Sequence, residues 1–194
     1  FVQYVLDITK SLAYHGFKKM IVVNGHGSNH NLVDMVSRRT IVETDASCAY
    51  CSWWQMLQVD PEFMKGWRES VFPGGCAHAG ELETSMLLYL SPESVRKDKI
   101  KSEIARTNKL GSEYMWTDLF SSGPMNIVEW TSQYSKSGVM GEAEKATAEK
   151  GRLAFEEASK KLAGFVEEYH ALEIKEREGK QDPPPTFPLS YPTD

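Results

Sequence analysis

The apolar run Met20-Ile21-Val22-Val23 reads as one short buried strand, and it is followed at once by Asn24-Gly25-His26-Gly27-Ser28-Asn29-His30. Apolar residues recur at helical spacing on both sides of it. Val2, Val5, Leu6, Ile8 and Leu12 fall mostly three or four apart, and Gly16 is placed to stop that helix. Leu32, Val33, Val36 and Ile41 mark a second helix, with Asn24 or Asn29 available as its cap, and residues 46–54 form a second strand-like run. Two strands joined through a helix pair in parallel within one sheet. The order helix, strand, loop, helix, strand therefore predicts an α/β fold: a layered sandwich with a mostly parallel sheet flanked by helices.

With 41% hydrophobic and 25% charged residues in 194, the chain has enough apolar material for a sizeable core. A net charge of −5 leaves no basic surplus to neutralise phosphates, which argues against nucleic acid as a partner. No apolar stretch approaches the roughly 20 residues of a membrane span, and no signal-peptide pattern is visible. Cys48 and Cys51 form a C-x-x-C, but they lie in the strand-like run Cys-Ala-Tyr-Cys-Ser-Trp and read as buried strand residues. Together with Cys76 they make an odd, sparse set of three, which fits a reducing, cytoplasmic setting.

Farther along, residues 59–77 hold Pro61, Gly66, Pro73, Gly74 and Gly75 and are predicted to be one long loop of functional character. Residues 81–90 carry Leu82, Met86 and Leu90 on one helical stripe, and the Lys- and Arg-rich stretch 96–109 reads as a solvated face. Residues 111–140, with Trp116, Trp130 and Tyr134, read as an irregular flap or short hairpin, and residues 141–172 as one long amphipathic helix. Residues 1–172 are thus expected to belong to one α/β domain, and 173–194, charged and then Pro-rich, to an extended arm.

Two loops carry the chemistry. His26 follows a strand and lies between Gly25 and Gly27, which permit a sharp turn and the close approach of a ligand. A neutral imidazole there suits a divalent metal, whereas the backbone N–H groups of the same loop suit an anion. The absence of Lys and Arg from both glycine-containing loops weakens the phosphate reading. His78 and Glu83 are separated by five positions around Gly80, so a loop histidine and an acid in the first turn of a helix can face one cavity. Glu81 and Glu83 can equally serve only to offset the helix dipole. Cys76 has no base and orienting group beside it in sequence to make it a nucleophile. His15 and His170 fall on helices as packing or surface residues, and His30 lies one turn beyond His26.

Three motifs in order resemble the creatininase family of metal-dependent hydrolases: residues 16–29 from Gly16 through Asn24-Gly25-His26-Gly27-Ser28-Asn29, then His78-Ala79-Gly80-Glu81-Leu82-Glu83-Thr84-Ser85, then residues 137–151 from Ser137-Gly138-Val139-Met140-Gly141. The resemblance implies a creatininase-like α/β fold and two divalent ions (zinc, manganese or iron). It also implies a small-molecule substrate and a homo-oligomer, commonly a hexamer. In its terms His26 is a metal ligand, His78 the catalytic histidine, and Glu83 an acid beside the metals, catalytic or ligating. Trp54 is an aromatic that covers the substrate, and Ser28 and Asn29 are further candidate substrate contacts. Ser28 stands where creatininase itself has a metal-binding Glu, and Gly74-Gly75 where a Trp precedes the catalytic histidine, so a substrate other than creatinine is expected. The family's first strand supplies a Glu, a His and an Asp as further ligands. Roughly ninety residues of such a domain are therefore expected ahead of Phe1. The expected function is hydrolysis of a small cyclic amide or related ring carbonyl by metal-activated hydroxide. Alternatives are ring opening of an inosose-like cyclic polyol ketone, formamide hydrolysis, or a non-catalytic assembly subunit that keeps the fold.

Overall fold

The structure, a computed structural model, describes residues 1–175 and residue 178. Most of the arm expected over 173–194 lies outside the described residues. The chain divides into two compact units, one of residues 1–52 with 164 onward, the other Trp53–Ala163.

In the first unit, helix α1 (Val2–Tyr14) ends at Gly16, whose φ of +92° is the left-handed conformation that glycine adopts without a Cβ penalty. The N–H of Gly16 bonds Ala13 O and that of Phe17 bonds Leu12 O, the two bonds of a Schellman stop. Strand β1 (Lys19–Asn24) runs through the turn at His26 into helix α2 (His30–Glu43) and returns as strand β2 (Ser47–Ser52). β1 and β2 pair in parallel from Lys19 opposite Ser47 to Asn24 opposite Ser52, as the crossover helix requires. Leu6 on α1 and Val33 and Val36 on α2 are fully or nearly buried. Between the two helices, the buried Thr9 and Thr40 hydroxyls meet at 2.7 Å and Lys10 pairs with Glu43 at 2.7 Å. β2 stops at Ser52, two residues short of the predicted end, because Trp53–Val59 turns into a 3-10 segment.

The second unit packs Trp54, Leu57, Trp67, Cys76, Leu82, Ala154 and Ala158 into one core. The predicted long loop 59–77 holds a helix, α3 (Pro61–Trp67), so that expectation is corrected. Asp60 caps it through Oδ1, which accepts the N–H groups of Glu62 and Phe63, and Pro61 occupies the first turn where its missing donor costs nothing. Strand β3 (Cys76–His78) leads to helix α4 (Glu81–Leu90). Two short helices, α5 (Arg106–Lys109) and α6 (Thr131–Tyr134), interrupt an otherwise irregular stretch that contains the bridge Thr117–Ser122. Strand β4 (Met140–Gly141) pairs antiparallel with β3, and helix α7 (Ala148–Ala171) follows. The long helix therefore starts seven residues after the predicted Gly141, which is used as strand instead.

α4 and α7 touch backbone to backbone at Gly151. A Cβ on Gly151 would lie 2.0 Å from Ser85 O and 2.6 Å from its carbonyl carbon. Alanine gains about 1 kcal/mol of helix propensity over glycine. Relieving such an overlap costs about 1–3 kcal/mol, and no flexible side chain is available to yield. Gly151→Ala is therefore expected to lower the thermal midpoint, read by circular dichroism; an unchanged or raised midpoint would show that α4 and α7 are not in this contact.

Candidate functional site

In the first unit the His26 loop is held by Asn24, the last residue of β1, which is 3% exposed. Its Oδ1 accepts the His26 N–H at 3.1 Å, and its Nδ2 donates to His26 O at 2.8 Å and to Ser52 Oγ at 2.9 Å. One buried amide thus fixes both backbone groups of His26 and ties them to the end of the neighbouring strand. His30 Nδ1 lies 3.0 Å from the same Ser52 Oγ, and its ring packs edge-on against Tyr50. The side chain of Asn29 does not cap α2; the backbone N–H of Asn29 donates to His26 O. His26 is exposed, and its Nδ1 accepts the Ser28 N–H at 3.3 Å. A neutral ring accepting at Nδ1 carries its proton on Nε2. Binding a cation through Nε2 would move that proton to Nδ1 and open the Ser28 contact. Ser28 is exposed, and a Cβ on Gly25 would meet nothing within 4 Å, so the protein itself does not demand glycine there. Gly27 opens the 3-10 turn Gly27–Asn29 that leads into α2.

In the second unit His78 ends β3 and Glu83 lies in the first turn of α4. Between them Ala79 has φ of +48°, a left-handed conformation that is uncommon for a residue with a Cβ. The turn is closed by Glu83, whose Oε2 accepts the Ala79 N–H at 2.6 Å, and by Thr84, whose hydroxyl donates to Ala79 O at 3.0 Å. The same Glu83 oxygen lies 3.8 Å from His78 Nδ1, in ion-pair range, with the imidazole 42% exposed. Gly80 is required by packing: its Cβ would stand 2.4 Å from Gly75 O and 3.1 Å from Gly141 Cα. Gly75 O also accepts the N–H groups of Glu81 and Glu142, so three glycines bring the loop, the turn and β4 together.

Buried and part-buried ionic networks surround this turn. Glu81 is fully buried rather than a surface charge at a helix end. It accepts the N–H groups of Glu69 at 3.0 Å and Ser70 at 2.8 Å and the Lys150 ammonium at 2.5 Å. Burial pushes the Glu81 carboxyl up, but the bonds from Lys150 and Ser70 outweigh it and hold the group below its ordinary value. Arg68 and Asp118 form a two-bonded pair at 3.1 and 2.7 Å, and Asp118 also accepts the Gly74 N–H at 2.8 Å. The segment that precedes β4 is pinned by Glu103, which accepts the N–H groups of Lys136 and Ser137 and the Ser137 hydroxyl. The Ser137 hydroxyl and those two N–H groups bring the Glu103 carboxyl down to about 2.

The structure thus brings His78, Gly80 and Glu83 into one turn and Gly25, His26, Gly27, Ser28 and Asn29 into one loop. Trp54 is 5% exposed, lies in the core of its unit and donates its indole N–H to Leu119 O at 2.7 Å. Cys48, Cys51 and Cys76 are free thiols, and burial raises Cys76 to about 11, which keeps it from acting as a thiolate. Among the described residues no group of three or more His, Cys, Asp or Glu side chains is placed to hold a metal ion. These residues therefore do not form a metal centre by themselves.

An exposed imidazole beyond the end of a parallel strand and a histidine–carboxylate pair at a strand–helix turn are arrangements that α/β hydrolytic enzymes use. The creatininase family, described as creatinine amidohydrolase, matches residues 1–166, and the chain belongs to that family. It is 26% identical over 177 residues to the creatinine amidohydrolase of Pseudomonas putida, covering 84% of this chain and 60% of that protein. It is 31% identical over 140 residues to the mycofactocin precursor peptide peptidase of Mycobacterium ulcerans, covering 72% of this chain and 44% of that one. Against the 3-dehydro-scyllo-inosose hydrolase of Thermotoga maritima the identity is 25% over 168 residues, covering 80% and 52%. Among solved structures, a mutant creatininase complexed with creatine superposes with a TM-score of 0.65 at 25% identity, over 87% of this chain and 64% of that one. Creatininases described as Zn–Zn and Mn forms each share the fold with a TM-score of 0.66 at 24% identity, over 88% and 64%. The chain spans about three fifths of the length of the Pseudomonas relative and less of the other two. The family's α/β fold is thus shared, with a short parallel sheet flanked by helices. No helix among the described residues is long and apolar enough to cross a membrane.

The Glu81 network makes a prediction about acid. A carboxyl held below its unfolded value contributes stability above that value and loses it as pH falls through the folded one. Glu81 should therefore stabilise the chain at neutral pH and cease to do so on acidification below its ordinary value of 4.5. Glu81→Gln is expected to lower stability at pH 7 by about 1–3 kcal/mol and to flatten the acid limb of a urea-melt series. An unchanged acid limb would remove Glu81 as its cause.

Proposed function

We propose that this chain is a hydrolase of the creatininase type in which His78 transfers the proton and Glu83 positions it. The observation that carries the reading is the turn at Ala79, where one carboxylate oxygen holds the backbone and stands 3.8 Å from His78 Nδ1. Hydrolysis of a C–N bond adds hydroxide to the carbonyl carbon and a proton to the leaving nitrogen. An exposed imidazole can take the proton from the attacking water and return it to that nitrogen, ending in its starting state. Glu83 supplies the negative charge that favours the imidazolium during the exchange.

The names of the relatives span a cyclic amide, a peptide and a cyclic polyol ketone. What these share is a carbonyl carbon opened to water, which supports the hydrolase class. Ser28, in place of the acid that the resemblance implies for creatininase itself, favours a cyclic amide or related carbonyl other than creatinine. Ring opening of an inosose-like ketone is the alternative that the Thermotoga relative supports. Divalent zinc, manganese or iron belongs to the proposal through His26, and through Glu83 if it ligates. Such a centre needs carboxylates beyond the described residues, and bound there it would supply an acidified water. A homo-oligomer of cytoplasmic setting completes the proposal.

Turnover should be measured on a panel of cyclic amides, short peptides and inosose. His78→Ala is expected to reduce kcat by about 10²–10⁴-fold with the fold intact. Glu83→Gln keeps an acceptor for the Ala79 N–H but removes the charge, and should lower kcat with little effect on KM. Full turnover by folded His78→Ala would end the proton-transfer role.

A further inference from the structure

Asn24, which holds the His26 loop, is followed by Gly25, and this is the one Asn-Gly pair in the chain. In such a pair the backbone nitrogen of the glycine can attack the side-chain carbonyl carbon of the asparagine, because no Cβ crowds the approach. The Cγ–Nδ2 bond breaks, ammonia leaves, and a five-membered cyclic imide joins the two residues. Water then opens either carbonyl of the imide and leaves an aspartate or an isoaspartate. One water is consumed and one ammonia released, and no oxidant or other reactant is needed.

The fold keeps the two reacting groups apart. Asn24 closes β1 opposite Ser52, so sheet pairing holds its backbone extended, and its side chain is buried. Its Oδ1 is tied to the His26 N–H, and its Nδ2 to His26 O and Ser52 Oγ. Ring closure swings Cγ onto the nitrogen of Gly25, so all three bonds must open first. Gly25, by contrast, is exposed, and a Cβ there would meet nothing within 4 Å. The attacking group therefore belongs to an open residue, while the attacked carbon is held in a buried one. Conversion would undo the anchor. In the aspartate product an oxygen stands where Nδ2 donated, and it faces His26 O, another acceptor. In the isoaspartate product the main chain runs through the former side chain and gains one carbon atom at the end of β1. Either product removes the side-chain donor from His26 O, the oxygen that also accepts the Asn29 N–H.

We propose that Asn24 is a deamidation site gated by the His26 loop. It is closed while its amide holds the loop, and once converted it can no longer hold it. The site is independent of the hydrolase reading, because its chemistry needs only the loop and water.

The full chain is incubated at mildly alkaline pH, folded in buffer or unfolded in urea, and conversion of Asn24 is followed by peptide mass spectrometry. Conversion is expected in the unfolded chain and about 10- to 1,000-fold more slowly in the folded one, the effect of three hydrogen bonds that must open together. Ser52→Ala deprives one amide hydrogen of Asn24 of its partner and should quicken conversion of the folded chain by about two- to tenfold, with no effect in urea. Gly25→Ala places its Cβ in open space, so it should fold and lose most of the conversion in both conditions. Converted chain carries one more negative charge and separates by anion exchange. Its His26 and Asn29 amide signals in two-dimensional NMR should leave their native positions. Equal rates in folded and unfolded chain, or a rate that Ser52→Ala leaves unchanged in folded protein, would overturn the gate. Conversion that survives Gly25→Ala would overturn the site, and converted protein with native His26 and Asn29 signals would overturn its effect on the loop.

Discussion

A fully buried carboxylate, Glu81, holds the second unit in register. Removing such a group from water costs several kcal/mol unless it is paired and hydrogen-bonded. Here the two N–H groups after α3, at Glu69 and Ser70, and the Lys150 ammonium on α7 all converge on it. Its own N–H meets Gly75 O. The end of α3, the loop before β3, the start of α4 and the first turn of α7 thus meet at one charge. The adjacent Arg68–Asp118 pair extends the arrangement to Gly74, and the glycine contacts at 75, 80 and 141 let the chain segments approach closely enough to use it. The left-handed turn at Ala79 begins two residues before this anchor. A conformation that costs free energy persists where its surroundings over-determine it.

The first unit solves the same problem with a neutral group. A polar side chain at the end of β1, Asn24, bonds both backbone groups of His26, so that an exposed imidazole stands on a loop whose backbone has few alternatives. In the first unit the histidine is exposed and the group that fixes its loop is buried; in the second the half-exposed His78 stands on a turn closed by the half-buried Glu83 and Thr84, with the buried Glu81 anchoring the helix start behind it. This division has a physical reason: a reacting side chain must meet solvent and substrate, while a hydrogen bond gains most from a site that water does not contest.

Local features were legible in the sequence. The β1–α2–β2 order, the stop at Gly16, the position of His26 beyond a strand and the start of α4 follow from short-range periodicity and from glycine's backbone freedom. The family resemblance carried over the same loops. The failures came from two sources. Asp60-Pro61 is a helix-start signal that was present but was overshadowed by the density of Pro and Gly around it. The rest lies in pairings across long sequence separation, which no local pattern contains: Arg68 with Asp118, Glu81 with Lys150, Glu103 with the 136–137 backbone, and β3 with β4. The latter pairing takes Gly141 out of the helix that its neighbours suggest. For Trp54 the local pattern does not separate an aromatic that lines a pocket from one that packs in a core, and the structure shows its packing in the core.

The central claim is that His78 moves protons, rather than merely shaping the turn that contains it. Chemical rescue separates these roles. With a substrate that the wild-type protein turns over, folded His78→Ala should regain activity in proportion to added imidazole, because a free base can enter the space that the exposed ring vacates. Activity that stays at the variant's basal level at all imidazole concentrations, or a variant that needs no rescue, would contradict the account.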